Sequence, residues 1–388
     1  MSLGEDAAFG SRPSYQQPYG SELGGIAVGH LRHLARQPRP TSGDGAADAR
    51  QYCRHVLASL GFRVTERPFE YSAAVGRYGT PAGGAATLVL VVAAAMLALG
   101  GYSGAALGVL VAGFAGVALG GRWLANRGVL ALPMQRRRGM NIEAVRGDGD
   151  PELWLVAHLD SKSQPVPLLV RAAGIILLAL ATLAAFALAI VGLLGAHTAR
   201  PWAIVIGVAI LGAIPVLGSV VGRASHGAVD NASGVAAIIC VAEILQLELP
   251  VGVLITDAEE LGLAGARAWC AETRYPPAPV LNCDGVDDEG ELTVMWTRPR
   301  ARLLEDAFRA AAARAREGLR VTPLVPGVLV DAVAFSDAGW EAVTLSRGSL
   351  ATLRRIHTRL DDLDHLKGTG IVGASMLLAD TVSHLMEA

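Results

Sequence analysis

The segment Ala228-Val229-Asp230-Asn231-Ala232-Ser233-Gly234 places an acid, an amide and small residues directly before an apolar run. In that run, apolar side chains recur at intervals of three and four, at Val235, Ile238, Ile239, Ala242 and Leu245. This spacing predicts a buried helix over residues 235–247, with Asp230 just before its amino terminus. Alone, such an aspartate is explained as a helix N-cap, so its meaning depends on the residues that accompany it.

Three other apolar runs predict buried strands, and each is followed by acidic or histidine side chains. The runs at 154–157, 251–256 and 280–283 lead into His158-Leu159-Asp160, Asp257-Ala258-Glu259-Glu260 and Asp284, and His357 follows later. In an open α/β sheet, ligands bind in the crevice outside the carboxyl ends of the strands. We therefore expect these side chains to meet Asp230 at one edge of a sheet.

The residue types suit a centre of two zinc ions. Zinc binds histidine nitrogen and carboxylate oxygen, and catalytic zinc keeps one position open for water. Two ions about 3.5–4 Å apart clamp both the attacking and the leaving groups of a hydrolysis. Such a centre needs a bridging carboxylate, two further acids, two histidines and one spare acid as base. The chain supplies these groups as Asp230, Glu260, Asp284, His158, His357 and Glu259.

The motifs form an ordered set along the chain: HLD at 158–160, DNASG at 230–234, DAEE at 257–260, NCDG at 282–285 and IHT at 356–358. This set resembles the co-catalytic di-zinc aminopeptidase family, which includes bacterial leucyl aminopeptidases, glutamate carboxypeptidase and the glutaminyl cyclases. The resemblance covers residues 24–69, 141–160 and 225–388. It implies an α/β fold in three α/β/α layers around a central mixed sheet.

The resemblance also implies a role for each residue of the site. It implies two zinc ions (Zn2+) per chain, with Asp230 bridging them and Glu259 as the general base. Asp160 matches the acid that orients a metal-binding histidine. The implied metal ligands are His158, Asp230, Glu260, Asp284 and His357.

One position departs from the family pattern. Where many relatives carry a tyrosine that polarises the scissile carbonyl, this chain has Ile356. Loss of one such donor typically costs on the order of a hundredfold in rate. Either another donor serves, or the oxyanion is less well stabilised.

The hydrophobic residues are concentrated in four stretches of the 388-residue chain, which is 52% hydrophobic and has a net charge of −2. That charge argues against a nucleic-acid partner. Residues 78–121 carry no charged side chain and divide at a glycine-rich turn, and residues 172–199 and 201–222 are similar. Each stretch approaches the roughly 20 residues that cross a bilayer. We expect four transmembrane helices in two hairpins, with small-residue contacts at Gly104/Gly108 and Gly116/Gly120 and interfacial Trp123 and Trp202.

The hairpins interrupt the peptidase-like part without separating its pieces. An even number of spans in each insertion returns the chain to the side from which it left. The expected division is a disordered tail (1–23), peptidase pieces (24–77, 122–167, 223–388) and hairpins (78–121, 168–222). Within the pieces, residues 26–34 and 46–60 predict helices, 63–69 predict a strand, and 141–145 and 153–156 predict neighbouring strands across a turn.

Charge distribution predicts the orientation of the chain. Basic side chains flank the hairpins on the peptidase side, whereas the hairpin tips offer only Arg200. By the positive-inside rule, the peptidase part is then cytoplasmic. The four cysteines show no metal-binding or CxxC spacing, which suits reduced thiols in that compartment.

The sequence thus predicts a membrane-anchored, zinc-dependent exopeptidase, with peptide substrates and the lipid bilayer as its partners. An aminopeptidase is favoured, and a carboxypeptidase, an amidohydrolase or a one-zinc glutaminyl cyclase remain open. A catalytically weak or inactive metal-stabilised scaffold is favoured only by Ile356. A transporter is disfavoured because the four stretches lack the internal charge pairs of ion pathways.

Overall fold

A mixed eight-stranded sheet organises residues 19–387, which the computed structural model describes apart from residues 197, 198, 246, 248 and 326. Its spatial order is β1-β2-β4-β3-β5-β8-β6-β7, with β4, β3, β5 and β8 parallel to one another. The strands are β1 Arg63–Ser72, β2 Arg136–Val145, β3 Leu153–His158, β4 Val251–Thr256, β5 Val280–Val286, β6 Glu291–Trp296, β7 Leu319–Pro323 and β8 Ala342–Gly348.

Helices cover both faces of this sheet. On one face lie α1 (Tyr19–Leu34), α2 (Asp44–Ser59), α8 (Gly234–Ile244), α10 (Arg302–Ala315) and α13 (Thr369–Glu387). On the other lie α9 (Ala264–Glu272) and α11 (Asp331–Asp337), and α12 (Leu350–Arg355) follows β8.

Because successive strand side chains point to opposite faces, the central strands feed two hydrophobic cores. In β3, Leu153 and Leu155 join the first core, and Trp154 and Val156 join the second. All four are fully buried, as expected of a parallel strand covered on both faces. The predicted three-layer α/β fold is confirmed.

Several predictions about the elements are wrong in detail. The strands at 141–145 and 153–156 are not neighbours, because β4 lies between them and pairs antiparallel with β2 and parallel with β3. Sequence proximity across a turn suggested a hairpin, but the long-range parallel partner takes that place. The helix predicted from residue 26 begins at Tyr19, so residues 19–23 are not part of a tail. The remainder of the predicted tail, residues 1–18, lies outside the described residues.

Four helices are long and apolar enough to cross a membrane. They are α3 (Ala73–Leu99), α4 (Ser103–Trp123, continued through a π-helical turn at Leu124–Gly128 into α5, Val129–Ala131), α6 (Leu168–Leu193) and α7 (Ala199–Leu217). These helices are longer than the uncharged stretches of the sequence, because the turns at their ends also include Arg77, Arg122 and Arg171. The two hairpins pack together as one bundle, in which α3 contacts α4, α6 and α7.

Close contacts in the bundle occur at glycines other than those predicted. A Cβ atom on Gly212 of α7 would lie 2.8 Å from the carbonyl oxygen of Gly174 in α6. Among described residues, a Cβ on Gly108, Gly116 or Gly120 would meet nothing within 4 Å. Glycine spacing therefore predicted close packing, but not which helix face approaches a partner. Trp202 packs into the bundle core at the first turn of α7, and its position at a membrane interface stays a prediction.

All four apolar helices are connected to the same end of the sheet, the end at which the parallel strands have their carboxyl termini. The strand β1 is antiparallel to β2, which is antiparallel to β4, so β1 runs in the same direction as β3 and β4. It ends at Ser72, where α3 begins, and β3 ends at His158, shortly before α6. The bundle therefore adjoins the edge at which the strands deliver the predicted site residues.

Candidate metal centre

The first cluster gathers residues from three separate elements. His158 ends β3, Asp284 lies in β5, and Asp230 lies at a non-helical kink within the segment Ala228–Ser233 that precedes α8. The Nε2 atom of His158 is 3.1 Å from Oδ1 of Asp230 and 3.6 Å from Oδ1 of Asp284. Side chains separated by more than a hundred residues therefore direct ligand atoms at one point.

The second cluster shares Asp230 with the first. The Nε2 atom of His357 is 2.7 Å from Oδ2 of Asp230 and 3.7 Å from Oε1 of Glu260. In each cluster of three, the ligand atoms all lie within 4.8 Å of one another. Asp230 thus directs one carboxylate oxygen at each cluster, which is the arrangement needed of a bridging ligand.

The chemistry of both clusters fits zinc. Each offers one imidazole nitrogen and two carboxylates, the donor types that zinc takes. Among the described residues, Oε1 of Glu260 is buried without a hydrogen-bond partner. Buried polar atoms are seldom left unpartnered. Burial opposes ionisation of Asp230, but His158 and His357 hold its pKa well below its usual range.

Adjacent Glu259 and Glu260, the first two residues of a 3-10 helical turn at Glu259–Leu261, face different partners. Oε2 of Glu259 is 4.0 Å from Nε2 of His158, whereas Glu260 faces His357. The turn is tight, because Ala258 adopts a left-handed φ of 58° just before the pair. Burial, together with the nearby Glu260 and Asp284 charges, raises the pKa of Glu259 well above its usual range, against the influence of His158. Such a carboxyl group is suited to holding a proton.

Asp160 fixes the main chain of the two glutamates. Its carboxylate accepts hydrogen bonds from the backbone N–H groups of Glu259 at 3.0 Å and Glu260 at 3.2 Å. The Nδ1 atom of His158 is 3.1 Å from the main-chain carbonyl of Asp160 and 3.7 Å from its carboxylate. This one residue therefore positions His158 through its carbonyl and the glutamate pair through its side chain.

Two residues, Asp361 and Asn231, hold the Asp230 turn in place, a role that the sequence did not predict. The carboxylate of Asp361 accepts hydrogen bonds from the N–H groups of Val229 at 2.7 Å and Asp230 at 3.2 Å. The amide of Asn231 donates to the Cys283 carbonyl at 2.9 Å and accepts from Gly285 N–H. These bonds tie the turn to the end of β5, beside Asp284.

Three further buried charged residues were missed. Lys162 pairs with Glu260, and its position two residues after Asp160 was the available signal. Asp331, in α11, accepts a hydrogen bond from Thr256, and burial raises its pKa to about 7. Arg39 is fully buried, and no local pattern indicates it.

Arg39 connects the first helices to the site loops. Its guanidinium group donates to four main-chain carbonyls, those of Leu34 at 2.7 Å, His226 at 2.6 Å, Leu159 at 2.8 Å and Gly227 at 2.9 Å. Burial lowers its pKa to about 10, which still leaves it charged at neutral pH. One side chain therefore braces the segments beside both His158 and Asp230.

Two residues next to the site segments, His226 and Ile356, contribute no atom to the ligand clusters. Nδ1 of His226 is 3.0 Å from the carbonyl of Ala35. Ile356, next to His357, packs against the hydrophobic core and offers no side-chain donor where relatives carry tyrosine.

Comparison with known proteins gives a family and a fold. The profile described as Peptidase family M28 matches residues 141–382. No curated protein matches the chain.

Solved structures share the fold at low sequence identity. An aminopeptidase from Aneurinibacillus sp. strain AM-1 is 12% identical with a TM-score of 0.56, covering 93% of each chain. BSAP, a zinc aminopeptidase from Bacillus subtilis, is 14% identical with a TM-score of 0.56, covering 93% of this chain and 95% of that one. A Bacteroides thetaiotaomicron glutaminyl cyclase bound to N-acetylhistamine is 12% identical with a TM-score of 0.54, covering 92% and 97%.

Proposed function

The chain belongs to peptidase family M28, and from this premise we propose that it is a membrane-anchored, zinc-dependent exopeptidase, most simply an aminopeptidase. The observation that carries the proposal is the position of Asp230, which directs one oxygen at each of two ligand clusters. Glu259 stands beside the first cluster with a raised pKa.

The proposed centre holds two zinc ions per chain. His158, Asp230 and Asp284 would hold one, and Asp230, Glu260 and His357 the other. When bound, zinc supplies Lewis-acid polarisation of the scissile carbonyl and makes a water acidic enough to ionise near neutral pH.

Glu259 is the proposed proton carrier. It accepts a proton from the attacking water, whose oxygen forms the new bond to the carbonyl carbon. As the carbon–nitrogen bond breaks, Glu259 returns that proton to the leaving amine, so the carboxylate is regenerated. Asp160 keeps Glu259 in place through the backbone N–H bond. Lys162 offsets part of the negative charge at Glu260.

The proposed metal centre favours an aminopeptidase over the alternatives. One of the two zinc positions could bind a free amino terminus as a neutral amine, because zinc takes nitrogen ligands. Two of the solved structures that share the fold are described as aminopeptidases and one as a glutaminyl cyclase. An inactive scaffold is favoured by one observation, the replacement of the tyrosine position by Ile356.

The proposal places the four apolar helices across a bilayer as two hairpins, with the peptidase part cytoplasmic. Their exposed sides carry large apolar residues, including Leu183, Ile204 and Ile214, which suits contact with lipid. Protease treatment of sealed inverted membrane vesicles tests the orientation, because the cytoplasmic face is then outside. Digestion of the peptidase part is expected, and its protection would overturn the orientation.

The activity is tested by measuring zinc content and peptide hydrolysis together. The substrates are a peptide library with free and with acyl-capped amino termini, and the variants are Glu259→Gln and, as a matched control, the exposed Glu291→Gln. We expect two zinc ions per chain in all proteins, and cleavage of free-amino-terminus peptides that only Glu259→Gln loses. Two zinc ions without turnover in wild type would favour a scaffold, and one zinc ion per chain a glutaminyl-cyclase-like centre.

A further inference from the structure

A cavity of about 200 Å³ lies between the ligand clusters and the ends of the apolar helices. One wall belongs to the site, and the opposite wall belongs to the start of α3 and the segment that follows α7. Its charged lining residues are Asp160, Glu260, Lys162, Arg77, Arg137 and Arg223.

The site-side charges of this cavity already have partners. Asp160 accepts hydrogen bonds from the backbone of Glu259 and Glu260, and Lys162 pairs with Glu260. The three arginines that line the cavity differ from these groups in having no charged partner in the described part of the chain. Among described residues, Arg77, Arg137 and Arg223 have no carboxylate within 4.0 Å. Three guanidinium groups therefore border one cavity without an anionic partner.

The cavity lies where the apolar helices end. Arg77 is in the first two turns of α3, and Arg223 follows the carboxyl end of α7. Arg137 is in β2, which begins after α5. In the proposed membrane arrangement, this is the level of the phospholipid headgroups, where basic side chains contact phosphate.

We propose that this cavity binds the phosphate of an anionic phospholipid headgroup. Guanidinium groups present paired N–H donors that match phosphate oxygens, and this bidentate pairing is stronger than a single contact. Three groups suit a ligand that offers several oxygens, more than a single peptide carboxylate does. A headgroup held here lies against Lys162, which also pairs with Glu260. The ammonium group of Lys162 is then shared between the lipid phosphate and the second ligand cluster. This inference rests on the proposed membrane placement but not on peptidase activity.

The test measures binding of radiolabelled phosphatidylglycerol to the purified full-length chain in neutral detergent, with phosphatidylcholine for comparison. The variant pair Arg77→Gln/Arg223→Gln is set against Arg122→Gln/Arg127→Gln. The control pair removes the same charge from exposed positions that lie outside the cavity on the same side of the bundle. A third pair, Arg77→Lys/Arg223→Lys, keeps the positive charges and removes the planar guanidinium groups with their paired N–H donors.

The expected result is a roughly thirtyfold loss of phosphatidylglycerol affinity in the cavity pair, since each basic residue contributes on the order of fivefold near a membrane surface. The control pair keeps wild-type affinity, and the lysine pair keeps part of it. Equal losses in both glutamine pairs would overturn the site. Competition by inorganic phosphate as strong as by the lipid would assign it to free phosphate, and competition by an N-acetylated dipeptide would assign it to a peptide carboxylate.

Two further measurements separate failure of this inference from failure of the proposed function. Flotation of the wild type with phosphatidylcholine vesicles reports membrane placement without any need for the cavity. Zinc content of each variant reports an intact ligand cluster. Wild-type zinc and flotation with unchanged lipid affinity in the cavity pair would overturn the lipid site alone.

Discussion

The ligand clusters and the four-helix bundle depend on opposite kinds of contact. In the clusters, buried charged groups accept hydrogen bonds from main-chain and side-chain donors, as the Asp361 carboxylate does from the backbone N–H groups of Val229 and Asp230. In the bundle, the buried residues are mainly alanine, glycine and valine, and the helices approach at Gly174 and Gly212. Removal of a partner in the first region leaves a charge unpaired, whereas a change in the second alters only shape.

Exposure also has opposite meanings in the two regions. The site half buries charge and exposes polar groups, as a protein in water does. The bundle exposes Leu183 to 66% and Ile214 to 63% while it buries small side chains. The two halves of the chain therefore expose different kinds of side chain. A substitution of one type should have different consequences in each half. The following substitutions test that difference.

The largest effect is expected at the residue that both clusters share. Asp230→Ala removes one ligand atom from each cluster, so we expect zinc to fall from two ions to fewer than one per chain. Hydrolysis should fall by about a thousandfold or more, since metal-ion catalysis contributes several kcal/mol. Zinc analysis and kcat/KM measure both effects. Asp380→Asn, in an exposed ion pair, is the control, and retention of two zinc ions by Asp230→Ala would contradict a bridging role.

The next effect is on stability and comes from Arg39. Arg39→Met leaves four main-chain carbonyls without their buried donor, so we expect a loss of about 3 kcal/mol in the free energy of unfolding of the peptidase part. Denaturant titration followed by tryptophan fluorescence measures it. Arg36→Met, which removes an exposed partner of Asp48, should change it by less than about 1 kcal/mol. Equal effects of the two would show that burial of the guanidinium group is not what matters.

A smaller effect on activity is expected at Asp160. Asp160→Asn weakens the acceptor for the Glu259 and Glu260 N–H groups while it preserves side-chain volume. We expect zinc affinity or kcat to fall by about tenfold to a hundredfold, as is typical for residues that position metal ligands. Zinc competition titration and steady-state kinetics separate the two quantities. An unchanged protein in both assays would remove Asp160 from the positioning role.

The smallest effect is expected in the bundle. Gly212→Ala brings a Cβ against the Gly174 carbonyl and should lower the free energy of unfolding by about 1–2 kcal/mol through overpacking, with zinc content unchanged. Gly207→Ala is the matched control on the same helix, because a Cβ there would meet no described atom within 4 Å. Thermal unfolding in detergent compares them. A larger effect at Gly207 would mean that helix propensity, not contact with α6, governs this helix.

The sequence predicted β3, β4 and β5 and the acidic and histidine side chains near their carboxyl ends, because local apolar runs and the acids that follow them are visible without knowledge of the partner strands. The end of β5 was predicted at residue 283 and lies at Val286, beyond Asp284. It did not predict that β4 would separate β2 from β3, because strand pairing is a long-range property. Arg39 was missed for the same reason, since three of its four acceptors, on Leu159, His226 and Gly227, lie more than a hundred residues away along the chain. In the bundle, glycine spacing was visible at Gly108 and Gly116, but the face that meets another helix is set by packing between the hairpins.

The second hairpin lies between His158 and Asp230 along the chain, and this placement orders events during synthesis. Residues for the first cluster emerge from the ribosome on both sides of α6 and α7, and the second cluster waits for His357, which follows every ligand of the first cluster along the chain. The first cluster can therefore form only after both hairpins have been synthesised, since His158 and Asp230 meet only when the intervening helices have turned back. A chain with metal bound would therefore be one in which both hairpins have already folded back and the ligand residues have met.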